Sequence, residues 1–148
     1  MDEGIYWVAL QVTEGTDGGT NFWVITDDGV YTPGHYTSDG GVSWTQNTSG
    51  YDFSFKIEGE CTSGGGTGGG FVCDDQFNLT NGIENGLFFG GSTNQQLAVD
   101  IIVGDDGFTA YGSNLNVFLG AGQTTDDITF DLTFYDDQGG TPGAVVHS

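Results

Sequence analysis

His35 and His147 are the two histidines in a chain of 148 residues, and they bound what acid–base chemistry it can do. A Ser-His-Asp arrangement needs one of them beside a nucleophile, and neither stands in a nucleophile motif. His147 is next to the last residue, and His35 lies in the turn-rich "TPGHYTSDGG". Glycoside hydrolysis by paired carboxylates needs one acid in an apolar setting with a raised pKa. Asp100 and Asp131 each interrupt an apolar strand pattern, and strict alternation turns both away from the core. These residues predict a protein that is not an enzyme.

The remaining chemistry is binding. Hard cations want several carboxylate and carbonyl oxygens in one loop. Asp27-Asp28, Asp105-Asp106 and Asp136-Asp137 offer pairs in "TDDGVYTPG", "GDDGF" and "YDDQGG". None fits the twelve-residue calcium loop, and Asp-Asp-Gly is by itself a hairpin turn. The expectation is no cofactor, with Ca²⁺ as the alternative. Tyr31, Tyr36, Trp44 and Tyr51 cluster in one part of the sequence and offer a stacking platform for a carbohydrate. The alternative role for Trp44 is to cap the core. Asn47-Thr48-Ser49 and Asn78-Leu79-Thr80 match the N-glycosylation triplet.

Charge excludes whole classes of partner. Lys56 stands alone against 21 acids, for a net charge of −20. Nucleic acid is excluded, because phosphate binding needs clustered Lys and Arg. Anionic membrane surfaces are excluded on the same ground. No run approaches the roughly 20 apolar residues of a membrane-spanning helix, so no membrane insertion is expected. Self-repulsion is strong at low salt, so added cations should stabilise the fold. Solubility at a cell exterior, a bound divalent cation and adaptation to high salt each fit such a charge. Cys61 and Cys73 flank "TSGGGTGGGFV" and suit a disulfide better than a metal site. Closing that loop contributes about 2–3 kcal/mol on a chain-entropy model, and it points to an oxidising, extracellular setting. Met1-Asp2-Glu3 lacks the basic start and apolar run of a secretory leader, so an exported chain would take its targeting from elsewhere.

Strands must position all of these residues. The hydrophobic period is two almost throughout. "YDFSFKIEG" puts Phe53, Phe55 and Ile57 on one face and Asp52, Ser54, Lys56 and Glu58 on the other. "ITFDLTFYD" puts Ile128, Phe130, Leu132 and Phe134 inside, with Thr129, Asp131, Thr133 and Tyr135 outside. "NLNVFLG" and "QQLAVDIIV" repeat the pattern. Further strands are expected at Gly4–Thr13, Asn21–Thr26, His35–Ser38, Val42–Gln46, Phe77–Leu79, Phe108–Tyr111 and Ala144–His147. The fold class is all-β, an antiparallel β-sandwich or jelly roll in one domain, 1–148. A Gly-rich loop at 62–72 divides it into half-motifs 1–61 and 73–148. "GIYWVALQV" differs from the other strands: both of its faces are apolar, so it needs cover on both sides or a second molecule.

Two groups of motifs resemble those of secreted bacterial β-sandwich repeat modules of large cell-surface, adhesin-like proteins. One group is the Asp-bearing strand Leu97–Val103 followed by "ITFDLTFYDDQGGTPGAVV"; the other is "GIYWVALQV" with "GGVSW" and "DFSFKIEGEC". Together they touch about half the chain, and their order is inverted relative to those modules. The resemblance implies an extracellular location on a bacterial surface. The inversion implies either a permuted sandwich closed within itself or a filament subunit whose sandwich is completed by a neighbour's strand. In the second case the joint is Ile5, Tyr6, Trp7, Val8, Ala9, Leu10 and Val12 at one end and Ala144, Val145 and Val146 at the other. The expected function is a structural subunit of an extracellular filament or surface fibre, its partner another copy of itself. The alternative is a carbohydrate-binding or adhesive module.

Overall fold

The computed structural model describes residues 1–15, 21–26, 34–37, 39–48, 52–60, 76–78, 85–89, 95–104, 107–115, 117–118 and 128–147. Every regular element among them is a strand. In chain order these are β1 (Gly4–Gly15), β2 (Asn21–Thr26), β3 (His35–Thr37), β4 (Thr45–Gln46), β5 (Asp52–Phe53), β6 (Phe55–Glu60) and β7 (Gln76–Asn78). They continue with β8 (Asn85–Phe89), β9 (Gln96–Val103), β10 (Thr109–Leu115), β11 (Val117–Phe118), β12 (Ile128–Asp137) and β13 (Pro142–His147). The all-β class follows from the period-two pattern. One strand, β8, carried no clear alternation in "NGLFF"; its place is fixed by pairing with β2.

The principal sheet has six strands in the order β13-β12-β1-β9-β3-β4. Every neighbouring pair in it is antiparallel. A second sheet runs β10-β6-β7, and β2 joins β11, β5 and β8 in a third. The core lies on one face of the six-stranded sheet. Val8 and Leu10 of β1, Leu97, Val99, Ile101 and Val103 of β9, and Phe134 of β12 meet Phe53, Phe55, Ile57 and Phe108 there. This is sandwich-like packing of sheet on sheet. The half-motifs 1–61 and 73–148 interleave, since β1 sits between two strands from the second half.

Three expectations are corrected. First, β1 is closed inside its own chain. Tyr6 to Val12 pair with β12 on one side, and Gly4 to Gln11 pair with β9 on the other. Trp7, Val8, Ala9 and Leu10 are buried. Of the expected joint Ile5, Tyr6, Trp7, Val8, Ala9, Leu10 and Val12, the four residues Trp7 to Leu10 are thus covered within the chain, while Ile5 stays 44% exposed. Second, Asp100 does not face solvent. It stands opposite Trp7 and is only 4% exposed. Third, Tyr135 is not an outward residue but is buried opposite Trp7 from the other side. One physical cause underlies the second and third corrections: the back face of the sheet is also covered. Trp7, Ala9, Ala98 and Tyr135 form a smaller cluster there, with Trp44 packed against it.

The β12–β13 connection shows why β13 lies where it does. Gln138 donates its N–H to the Thr141 carbonyl (2.8 Å), and Gly139 and Gly140 hold φ of 70° and 87°. Those left-handed values suit Gly-Gly and match the twist of a hairpin. Pro142 then opens the edge strand, where its missing N–H leaves no ladder bond unmade.

Leu97→Ala is expected to destabilise the fold by about 2–5 kcal/mol through the cavity it leaves between the sheets. Urea unfolding at fixed salt measures this, and a loss below about 1 kcal/mol would contradict the placement of Leu97 in the core.

Candidate functional site

The back face of the six-stranded sheet is capped by the connection between β3 and β4, and Asp39 builds that cap. Its Oδ1 accepts bonds from Thr37 Oγ1 (2.5 Å), Val42 N (3.0 Å) and Ser43 N (3.0 Å), and its Oδ2 accepts one from Ser43 Oγ (2.6 Å). The bond from the Ser43 hydroxyl, helped by those from Thr37 and the backbone, holds the Asp39 carboxyl well below the usual carboxylate range. An aspartate that binds its own turn in this way fixes the turn's shape. The strand expected over Val42–Gln46 therefore shrinks to Thr45–Gln46, with 39–44 as the turn.

The turn folds onto Tyr135. A Cβ on Gly41 would lie 2.9 Å from the Tyr135 hydroxyl, so only glycine permits this approach. Tyr135 Oη donates to Gln96 Oε1 (2.7 Å), and Gln96 Nε2 donates to Gln11 Oε1 (2.7 Å). Burial pushes the Tyr135 phenol up. Trp44 meets Tyr135 edge-to-face at 5.4 Å, and Trp7 meets His35 likewise at 4.6 Å. Trp7 Nε1 donates to Asp137 Oδ1 (2.9 Å). Trp7, His35, Tyr135 and Asp100 thus form a closed aromatic and polar layer. His35 is 2% exposed, too buried to meet a substrate from solvent.

The remaining site residues distribute as follows. Tyr36 is opposite Leu97 on the core-side face and Trp44 packs on the back, so these two do not share a platform. Tyr31, Tyr51, Cys61, Cys73, Asp27, Asp28, Asp105 and Asp106 lie outside the described residues. Asn78 falls in β7, and Asn47 is half-buried with its backbone N–H donated to the Gly34 carbonyl (2.8 Å). The carboxylates of Asp136 and Asp137 are turned onto the β12–β13 hairpin: Asp137 accepts from Gly140 N (3.1 Å) and Trp7, and Asp136 accepts from Ala144 N. Among the described residues no three His, Cys, Asp or Glu side chains converge as metal ligands.

The open features lie at the sheet's two ends. Neither β13 nor β4 has an outer strand partner among the described residues. On β13 Val145 and Val146 are 56% and 46% exposed, and at the β4 end Val42 is 85% exposed. Two register shifts between β12 and β13 interrupt their ladder, so only a short length of β13 is regular. Beside the Val146–His147 end opens a cleft of about 440 Å³, lined chiefly by Met1, Tyr6, Phe108, Ala110, Phe134 and Val146. Nothing in the sequence marked this cleft, because its walls come from β1, β10, β12 and β13 together.

Compared with known proteins, the chain matches no family model, no curated protein and no solved structure.

Asp39→Ala should lower the melting temperature at pH 7, since it strips the 39–44 turn of its acceptor. Asp39 has a depressed folded-state pKa, so its contribution is full above the unfolded value of about 4 and fades as pH falls below it. The difference in melting temperature between wild type and variant is therefore expected to narrow steadily from pH 4 to pH 2. A difference that stays constant across that range would show that the carboxylate does not organise the turn.

Proposed function

We propose that this chain is a structural subunit of an extracellular bacterial filament or surface fibre, and that copies join through the two ends of the six-stranded sheet rather than by exchanging β1. The observation that carries the reading is the absence of acids at those ends. The chain holds 21 acids, yet residues 40–48 and 138–147 contain none. These two segments hold the end strands β4 and β13. Copies of a −20 molecule repel one another, so a contact between copies belongs where neither side brings a carboxylate. The β13 end also exposes Val145 and Val146, and an unpaired strand edge is the usual template for adding a strand.

Strand parity favours a head-to-tail join. With six strands, all antiparallel, β13 and β4 run in opposite directions. A neighbour in the same orientation therefore brings its β4 antiparallel to β13, and the ladder continues without inverting the molecule. Such a contact is heterologous and does not close, so it propagates as a fibre. A regular stretch of only two residues in β4 makes each ladder short, so apolar packing beside it has to carry much of the affinity. The resemblance of its motifs to those of secreted surface modules, the Cys61/Cys73 pair and the net charge of −20 all suit an extracellular polymer of itself. The closed layer around His35 suits a mechanical rather than a catalytic role.

Light scattering on the purified chain across a salt series tests this. Assemblies larger than the 15.5 kDa monomer are expected to grow as salt screens the charge. Val145→Lys combined with Val146→Lys should abolish them while leaving the monomer's stability within about 0.5 kcal/mol, as for ordinary exposed positions. A strictly monomeric wild type at all salts would overturn the reading, as would assembly that ignores the double variant.

A further inference from the structure

We infer that the outer face of the β10–β6 pair is a binding site for a neutral carbohydrate, with Tyr111 as its stacking surface and the Lys56–Glu58 ion pair as its polar contact. It lies on a different sheet from β4 and β13, so it does not depend on the joint between copies. Strand parity sets the face. Phe55 and Ile57 are fully buried, so Lys56 and Glu58, which alternate with them, point out of the core. Ala110 pairs with Gly59 and Gly112 with Glu58, so β10 carries one residue more than β6 at this place, and that residue is Tyr111. Such a bulge sets two consecutive residues opposite one on the partner strand and re-aims a side chain. Ala110 packs against the core, whereas Tyr111 is 69% exposed, the most of any aromatic side chain among the described residues.

The neighbours of Tyr111 supply the rest of the site. A Cβ on Gly112 would lie 3.0 Å from Glu58 Oε2, so glycine lets the carboxylate rest against β10 at the residue that follows Tyr111. Lys56 Nζ donates to the other oxygen, Oε1, at 2.7 Å and fixes the carboxylate there. Both side chains of the pair are partly exposed, so ammonium donors and a carboxylate acceptor meet solvent side by side. A sugar ring presents an apolar face of C–H groups with hydroxyls around its edge. An exposed phenol ring suits that face, and a fixed ion pair suits hydroxyls, which both donate and accept. Charge selects among sugars. The pair adds no net charge, and a molecule at −20 repels uronic and sialic acids.

NMR titration of the full-length chain at low salt tests this, with cellotetraose, maltotetraose and chitotetraose as neutral probes and tetragalacturonate as the anionic one. At least one neutral probe is expected to bind at about millimolar concentration and to move the Tyr111 ring signals. Tyr111→Ala should weaken that binding about tenfold, while Tyr111→Phe keeps most of it, since the ring does the stacking. Glu58→Gln should weaken it by a smaller factor, and an unchanged melting temperature shows that each variant is folded. The site is wrong if no neutral probe binds below about 50 mM, or if Tyr111→Ala binds like wild type. Tetragalacturonate binding as tightly as the neutral probes would overturn the choice of ligand. None of these results touches the fibre reading, which is decided by assembly at higher salt.

Discussion

A strand that is apolar on both faces cannot rest at the edge of a sheet exposed to water, and β1 is such a strand. Its placement between β12 and β9 fixes most of what surrounds it. Val8 and Leu10 then face the main core, and Trp7 and Ala9 face the back. The back face needs a lid of its own, supplied by the Asp39 turn between β3 and β4 together with Trp44. Once β1 is interior, the sheet's ends fall to β13 and β4, which are shorter and less regular. The surfaces left for partners thus follow from the burial demand of a single strand near the start of the chain.

Much of this was legible in the sequence. Alternation located the strands because a half-buried strand must repeat every second residue, and Phe53, Phe55, Ile57, Leu97, Val99 and Ile101 are buried as that pattern requires. The pattern misjudged Asp100 and Tyr135 for a definite reason. Alternation reports which face a side chain takes, not whether something distant covers that face. The cover is a turn far upstream of both residues in the chain, and no local signal announces it. The same limit explains β1. Its two-sided apolarity announced a need for partners, and only the register with β9 and β12 shows that the chain meets the need itself. Ser54 is buried as well, since it lies where the chain passes from β5 in one sheet to β6 in another. The cleft had no sequence signature, being assembled from residues as far apart as Met1 and His147.

Charge ties fold and proposed assembly together. A net charge of −20 on 148 residues opposes compaction and association alike. Inside the chain, several carboxylates meet donors: Asp39 its own turn, Asp137 the Trp7 indole, Asp136 the β13 backbone, and Glu58 the single lysine at 2.7 Å. Between chains, lysines are too scarce to neutralise a facing carboxylate, so a favourable contact has to be apolar and acid-free. Both sheet ends are acid-free and the β13 end is apolar as well, and salt should tune how strongly they join.

Backbone hydrogen exchange, followed by mass spectrometry on dispersed and assembled protein, tests the central claim most directly. If β1 is closed within its own chain, amides of residues 5–11 are equally protected in both states, and those of 45–46 and 143–147 gain protection on assembly. If residues 5–11 exchange freely in the dispersed protein and become protected only on assembly, β1 is completed by another molecule and a self-closed subunit is ruled out.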